Sequence, residues 1–197
     1  IRDLFAANDG RFVLILDPVD GTGDYLGEKP TYAHMLGLLD QKTGRMVCGM
    51  IYFPVSDRFY LGLRGTGAFV ADGLTGSFRP IERQQPPKTV EDVKRLQEED
   101  YEAFQRLGFR LTSPESGSAA YELTRVALGR LGAMVMRHFH GHDSAVSSVI
   151  IEELGGIVLE ENQQTAQYEK EMPRMPLVIS SLDASYARSL SAALSGS

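Results

Sequence analysis

The sequence predicts an α/β fold in two parts, and three observations predict it. Short apolar runs separated by tight turns fill the first third of the chain, a polar helix-forming stretch follows, and helix-like and strand-like segments then alternate to the end. The 197 residues suffice for one large domain or two small ones, each with a sizeable core. The division is expected near residue 108, giving an N-terminal α+β part over 1–108 and a C-terminal α/β part over 109–197.

The first element is FVLILDPVDGTGDY, residues 12–25, in which five apolar residues read as a buried strand run into two aspartates and then turn at Gly21-Thr22-Gly23. Further β-type runs span Ala33 to Leu39, Met46 to Phe53, Phe59 to Leu63 and Ala68 to Val70. The turn signals KTGR, PVSD and RGTG separate them, and connections this short favour antiparallel neighbours. From Pro86 to Leu107 the chain is polar, with Thr89 as a cap candidate. Its apolar positions Val90, Val93, Leu96 and Phe104 are sparse, so a surface helix or a bridge between the halves is expected. Leu123, Val126 and Ala127 mark a helix over Ala119 to Arg130, and Ala133 to Met136 is short and apolar. Val146, Val149, Ile150 and Leu154 share one face of a helix over Ser144 to Leu154, which Gly155-Gly156 ends. Strands at 157–159 and 177–180 and a helix from about Ala184 to Leu194 complete the chain.

Composition narrows the function. A net charge of −6 argues against non-specific nucleic-acid or anionic-membrane binding and leaves small neutral or cation-complexed ligands. The basic residues Lys88, Lys94, Arg95 and Arg106 alternate with acids and form no nucleic-acid patch. The single cysteine, Cys48, lies in an apolar run and reads as a reduced core residue of a cytoplasmic protein. No apolar run approaches the roughly 20 residues that span a bilayer, and no signal segment opens the chain. The chain lacks an initiator Met and starts a dozen residues before a strand, as the inside of a longer protein would.

Asp17 and Asp20 admit two readings. Asp-Pro and Asp-Gly are common turn dipeptides, so the acids could simply close a strand in solvent. Alternatively, Pro18 holds the chain rigid between them, and both carboxylates with the Val19 carbonyl face one point. Such an all-oxygen cluster suits Mg²⁺ rather than zinc. Gly21, Thr22 and Gly23 can present backbone N–H groups to a phosphate beside that cation. This juxtaposition is what metal-assisted phosphate-ester hydrolysis needs. Asp143, before the second helix of the C-terminal part, is either an N-cap or a further metal carboxylate. His138, His140 and His142 would share one face of a strand, a possible zinc arrangement, or make ordinary polar contacts if the segment bends. Glu152-Glu153 reads as a solvated helix face, and Tyr and Phe residues read as core.

DPVDGT at 17–22 resembles the first signature of the inositol monophosphatase family of Mg²⁺-dependent, lithium-sensitive phosphatases. HDSAVSSVIIEELGG at 142–156 resembles the second, with Asp143 thirteen residues before Gly156 as in the family pattern. RGTGAFV and the GSAA segment at 117–120 also have family counterparts, so the resemblance runs over almost the whole chain. It implies a layered αβαβα sandwich of mixed and antiparallel sheets, with the site between its two halves. It implies two or three Mg²⁺ ions per site, Asp17 bridging two, the Val19 carbonyl serving the first, and Asp20 with Asp143 holding the second. Gly21 and Thr22 would contact phosphate, the Thr22 hydroxyl orienting the attacking water. Gly117, Ser118 and Ala119 would meet the alcohol portion of a small phosphorylated metabolite, and His140 would line the pocket.

Three departures stand out. The family's water-activating Glu lies about twenty residues before the first Asp, and position 17 leaves no room for it. His142 replaces a Trp, and Met136 replaces a Glu that grips inositol hydroxyls. Gly23-Asp24-Tyr25 adds an acid expected near the mouth of the site. The implied activity is a phosphomonoesterase acting on a small phosphorylated alcohol such as inositol monophosphate. The alternatives are a bisphosphate nucleotidase, a histidinol-phosphatase, a sugar bisphosphatase, a degenerate phosphate-binding protein, or a zinc hydrolase built on the three histidines. A homodimer is the family-level expectation.

Overall fold

The computed structural model describes residues 10–73, 75–93 and 96–195. Six strands form an antiparallel meander: β1 (Phe12–Asp20), β2 (Ala33–Asp40), β3 (Arg45–Phe53), β4 (Arg58–Leu63), β5 (Gly67–Asp72) and β6 (Arg79–Pro80), paired in chain order, with the short helix α1 (Thr22–Leu26) after β1. The rest is β7 (Thr89–Val93), α2 (Glu98–Arg106), β8 (Arg110–Thr112), α3 (Ala119–Ala127), β9 (Ala133–His140), α4 (Gly141–Glu153), β10 (Ile157–Glu160), β11 (Arg174–Ser181) and α5 (Ala184–Leu194). The second sheet has the order β10-β11-β9-β7-β8, with β7 parallel to both β8 and β9 and the other pairs antiparallel.

The expected helix across residues 86–107 is therefore two elements. Thr89 is not a helix cap: it opens a strand, and its hydroxyl accepts a hydrogen bond from the Gly132 N–H at 3.0 Å. Pairing with the apolar β9 buries Val90 completely and overrides the helix propensity of its polar neighbours. Lys94 and Arg95 lie outside the described residues. The helical part, α2, buries Phe104, and Asp100 on its first turn makes a two-pronged pair with Arg137 of β9 at 2.9 and 2.6 Å.

The layers follow from alternation. On β9, Met134 and Met136 join the core beneath the first sheet, while Ala133 and Val135 face α2 and α5. The helices α3 and α4 lie between the two sheets, so the described residues build four layers in the order sheet, helices, sheet, helices. No helix among the described residues is long and apolar enough to cross a membrane.

The position of α4 depends on glycine. Gly37, Gly49 and Gly62 stand side by side across β2, β3 and β4, forming a trough into which the helix sinks. A Cβ on Gly49 would overlap the Val146 carbonyl oxygen, and one on Gly62 would sit 2.8 Å from the Ile150 nitrogen. The far end of α4 is tied down by charge. Glu152 pairs with Arg45 and Arg64, each at 2.7 Å, and Glu153 accepts from the Gly65 N–H at 3.0 Å. The expected solvated face is thus a fastening to the first sheet.

The outer face of that sheet differs from expectation as well. β1 is an edge strand, and Leu14 and Leu16 are 53% and 65% exposed, so its apolar run is not buried throughout. Cys48 is half-buried on the same face rather than in the core, and burial pushes its thiol pKa up.

Candidate metal and phosphate site

Residues three apart on a regular strand point to opposite faces, so Asp17 and Asp20 should diverge. A β-bulge brings them together: Asp17 stands opposite Met35 and Asp20 opposite Ala33, leaving Pro18 and Val19 against the single residue His34. Pro18 has no N–H to leave unpaired, which suits it to the bulge, and its carbonyl accepts from His34 Nδ1. Met35 and Ala33 are buried against the core, so both carboxylates turn inward. Asp17 folds back to accept from the Val19 N–H at 3.0 Å.

Gly21 follows with φ 78°, a left-handed conformation that glycine adopts without strain, and it leads into α1 at Thr22. The close approach also excludes a side chain, because a Cβ there would lie 2.7 Å from Ser118 Cβ. Thr22 is exposed, and its hydroxyl donates to the Val19 carbonyl at 3.2 Å. Ser118 is the N-cap of α3: its hydroxyl accepts from the Tyr121 N–H and donates to Asp20, which also accepts from the Ala120 N–H at 3.0 Å. The polar groups at 117 and 118 are thus spent on acids: Gly117 N–H on Asp24, Ser118 hydroxyl on Asp20. Ala119 is the first residue of α3 and 7% exposed. Met136 is fully buried in the core.

The third acid arrives from the other sheet. Asp143 is the third residue of α4, not its N-cap; that place belongs to His140, whose N–H donates to the Asp143 carboxylate at 3.1 Å. Asp17, His142 and Asp143 each bring a donor atom to within 4.8 Å of the others. Among the described residues it is this group, not the three histidines, that assembles metal-ligand side chains. The three histidines do not form a ligand group: His138 has φ 54°, and the exposed His140 ring stacks on His142 at 5.3 Å, leaving only His142 beside the acids.

Electrostatics supports a cation here. Burial pushes Asp20 up to about 6 despite its hydrogen bonds from Ser118 and Ala120, and Asp17 and Asp143 push it the same way. Burial also raises Asp143, opposed by His142 and by the His140 N–H, with Asp17 adding to the rise. Carboxylates converging with no lysine or arginine partner among the described residues form a donor set that a divalent cation fits.

Asp24 does not sit at the mouth of the site. It is 3% exposed and faces inward, where its Oδ2 accepts from Thr31 (2.7 Å), Ser116 (2.6 Å) and the Gly117 N–H (2.7 Å), with Lys29 at 3.3 Å on Oδ1. Burial opposes ionisation, yet those donors bring its pKa down to about 2. Asp24 therefore clamps α1 to the loop that carries Ser118. Only the density of acids and hydroxyls in the sequence hinted at this clamp, because Ser116 and Gly117, the partners that join α1 to the loop, lie more than ninety positions away.

A scan against family models matches the inositol monophosphatase family over residues 4–194. The chain belongs to the inositol monophosphatase family. Among curated members, it is 28% identical over 147 residues to an inositol-1-monophosphatase of Bacillus subtilis, covering 73% of this chain and 55% of that protein. It is 32% identical over 171 residues to inositol monophosphatase 2 of Solanum lycopersicum, covering 79% and 62%. A fructose-1,6-bisphosphatase/inositol-1-monophosphatase of Aquifex aeolicus is 27% identical over 149 residues, covering 72% and 54%. The chain thus spans little more than half the length of these inositol monophosphatase relatives. Among solved structures, a Pyrococcus horikoshii protein with similarities to inositol-1 monophosphatase superposes with a TM-score of 0.77 at 18% identity, covering 94% of this chain and 72% of that one. An IMPase/NADP phosphatase described with Mg²⁺ and phosphate gives 0.76 at 18% identity, covering 95% and 68%. The α/β sandwich of the inositol monophosphatase fold is therefore the fold of this chain.

Proposed function

We propose that this chain carries the cation- and phosphate-binding part of a Mg²⁺-dependent phosphomonoesterase acting on a small phosphorylated alcohol. The observation that carries the reading is the bulge at Pro18-Val19, which turns Asp17 and Asp20 inward, with Asp143 of α4 coming within ligand range of Asp17 and its charge acting on Asp20. Asp17, Asp20, Asp143 and the Val19 carbonyl would hold the cations. Bound there, divalent ions supply charge compensation for the phosphoryl oxygens, activation of a water, and stabilisation of the leaving oxygen.

The chain's own groups do the rest. Ser118 and the Ala120 N–H hold Asp20 from behind, so one carboxylate oxygen is fixed and the other is aimed. Thr22 presents a hydroxyl at the start of α1, and rotation away from the Val19 carbonyl would let it orient a water or a phosphate oxygen. The backbone N–H groups of Gly21 and Thr22, at the turn into α1, would suit an anion.

Relatives named as inositol monophosphatases and as fructose-1,6-bisphosphatases keep two substrate classes in view. Met136, where a Glu would grip inositol hydroxyls, favours testing sugar bisphosphates beside inositol monophosphate. The test is a phosphate-ester panel with Mg²⁺ on the whole protein. Phosphate release from one of these classes is expected, and Asp20→Asn should lower kcat/KM by on the order of 10²–10³. Turnover unchanged in Asp20→Asn would remove the role assigned to that acid.

A further inference from the structure

The cation site contains a donor that an all-oxygen Mg²⁺ site lacks. His142 enters the group with Asp17 and Asp143, its Nε2 lying 3.3 Å from Asp143 Oδ1. Neighbouring donors on one ion show about this separation when each bond is about 2.1–2.3 Å long. The ring's orientation is not left to chance, because His140 stacks on it at 5.3 Å with only 15° between planes. The stack comes from the bend between β9 and α4, which makes His140 the helix N-cap and His142 the second helical residue. His142 is 39% exposed at its side chain, so an ion can reach it without displacing core.

We propose that His142 is a nitrogen ligand of the cation held by Asp17 and Asp143, and that this site prefers borderline ions such as Mn²⁺, Co²⁺ or Zn²⁺ to Mg²⁺. The inference rests on the reading of these acids as a cation site and departs from it in one respect, replacing Mg²⁺ by a borderline ion as the preferred occupant of the position that His142 faces. Imidazole is a good ligand for first-row transition ions, whereas Mg²⁺ takes oxygen donors and keeps its waters. Two carboxylates with one imidazole therefore shift selectivity, while the oxygen donors alone would not. A simple His142–Asp143 ion pair is the competing account, and it predicts no nitrogen at the metal.

The test uses the full chain loaded with Mn²⁺. Pulsed EPR should detect ¹⁴N coupling from a directly bound imidazole in the wild type, lost in His142→Gln and retained in His140→Gln. Calorimetric titration should show Mn²⁺ affinity falling by about 10–100-fold in His142→Gln, with Mg²⁺ affinity changed far less. Circular dichroism of both variants controls for folding, and loss of signal only in His140→Gln would overturn the assignment. Mn²⁺ bound without ¹⁴N coupling in the wild type would overturn the His142 ligand and leave the carboxylate site standing. Failure to bind either ion would overturn the cation-site reading itself, and this proposal with it.

Discussion

Asp24 concentrates three donors on a single carboxylate oxygen, and that makes its substitution informative. Asp24→Ala strands the Ser116, Thr31 and Gly117 donors, and should cost about 2–4 kcal/mol in urea unfolding. Asp24→Asn should cost much less, because its amide oxygen can occupy the Oδ2 position and only the Lys29 contact is lost. Glu91 presents the opposite case. It is fully buried beside Glu122, and the Arg125 guanidinium lies 2.6 Å from Glu91, 2.5 Å from Glu122 and 2.8 Å from Glu115, so one cation faces three carboxylates. Burial first, then Glu122, pushes Glu91 up to about 8, and Arg125 only partly offsets this. The folded state therefore keeps a proton that the unfolded chain releases near 4.5. This stability is full below that value and is lost as pH rises through about 8. Wild-type urea midpoints should fall as pH rises from about 5 to about 8, and Glu91→Gln should remove that part of the fall.

At the scale of elements, the glycine trough sets how deeply α4 sits, and with it where Asp143 can reach. Gly49→Ala and Gly62→Ala drive a methyl into helix backbone and should each destabilise by about 1–3 kcal/mol. Gly37→Ala should fall at the low end, because its nearest obstacle is the flexible end of Met46. Chemical denaturation of the three variants checks the order. The same comparison separates elements that were legible in the sequence from those that were not. The strands β2 to β5, the helices α3 and α5, and the apolar face of α4 were legible, because each is announced by local periodicity and bounded by turn residues. β7 was not, because TVEDV reads as helix-forming and becomes a strand only through pairing with β9, some forty residues later. The fastening of Glu152 by Arg45 and Arg64 was hidden in the same way.

For the whole molecule, the site belongs to neither half alone. Asp17 and Asp20 come from the edge of the first sheet, and Asp143 and His142 from a helix that follows a strand of the second. A cation held between them, as proposed, would tie the folded state together by mass action. Saturating Mn²⁺ at about 100 times Kd should add about 2.7 kcal/mol of stability. Thermal melts should show that gain as a rise in Tm, absent in Asp143→Asn.

The sequence by itself determined the chemistry on offer: two spaced acids around a rigid Pro, a Gly-Thr turn after them, and a third acid at a helix start. These are local patterns, and backbone stereochemistry reads them without knowledge of the rest of the chain. Only the tertiary structure decided how they point. The bulge that turns Asp17 and Asp20 to one face depends on pairing with His34, and the inward turn of Asp24 depends on a loop ninety residues away. His142 joins Asp17 because β9 bends into α4 at His140-Gly141 rather than continuing as a strand. Convergence in space is a property of non-local contacts, and no spacing along a single chain encodes it directly.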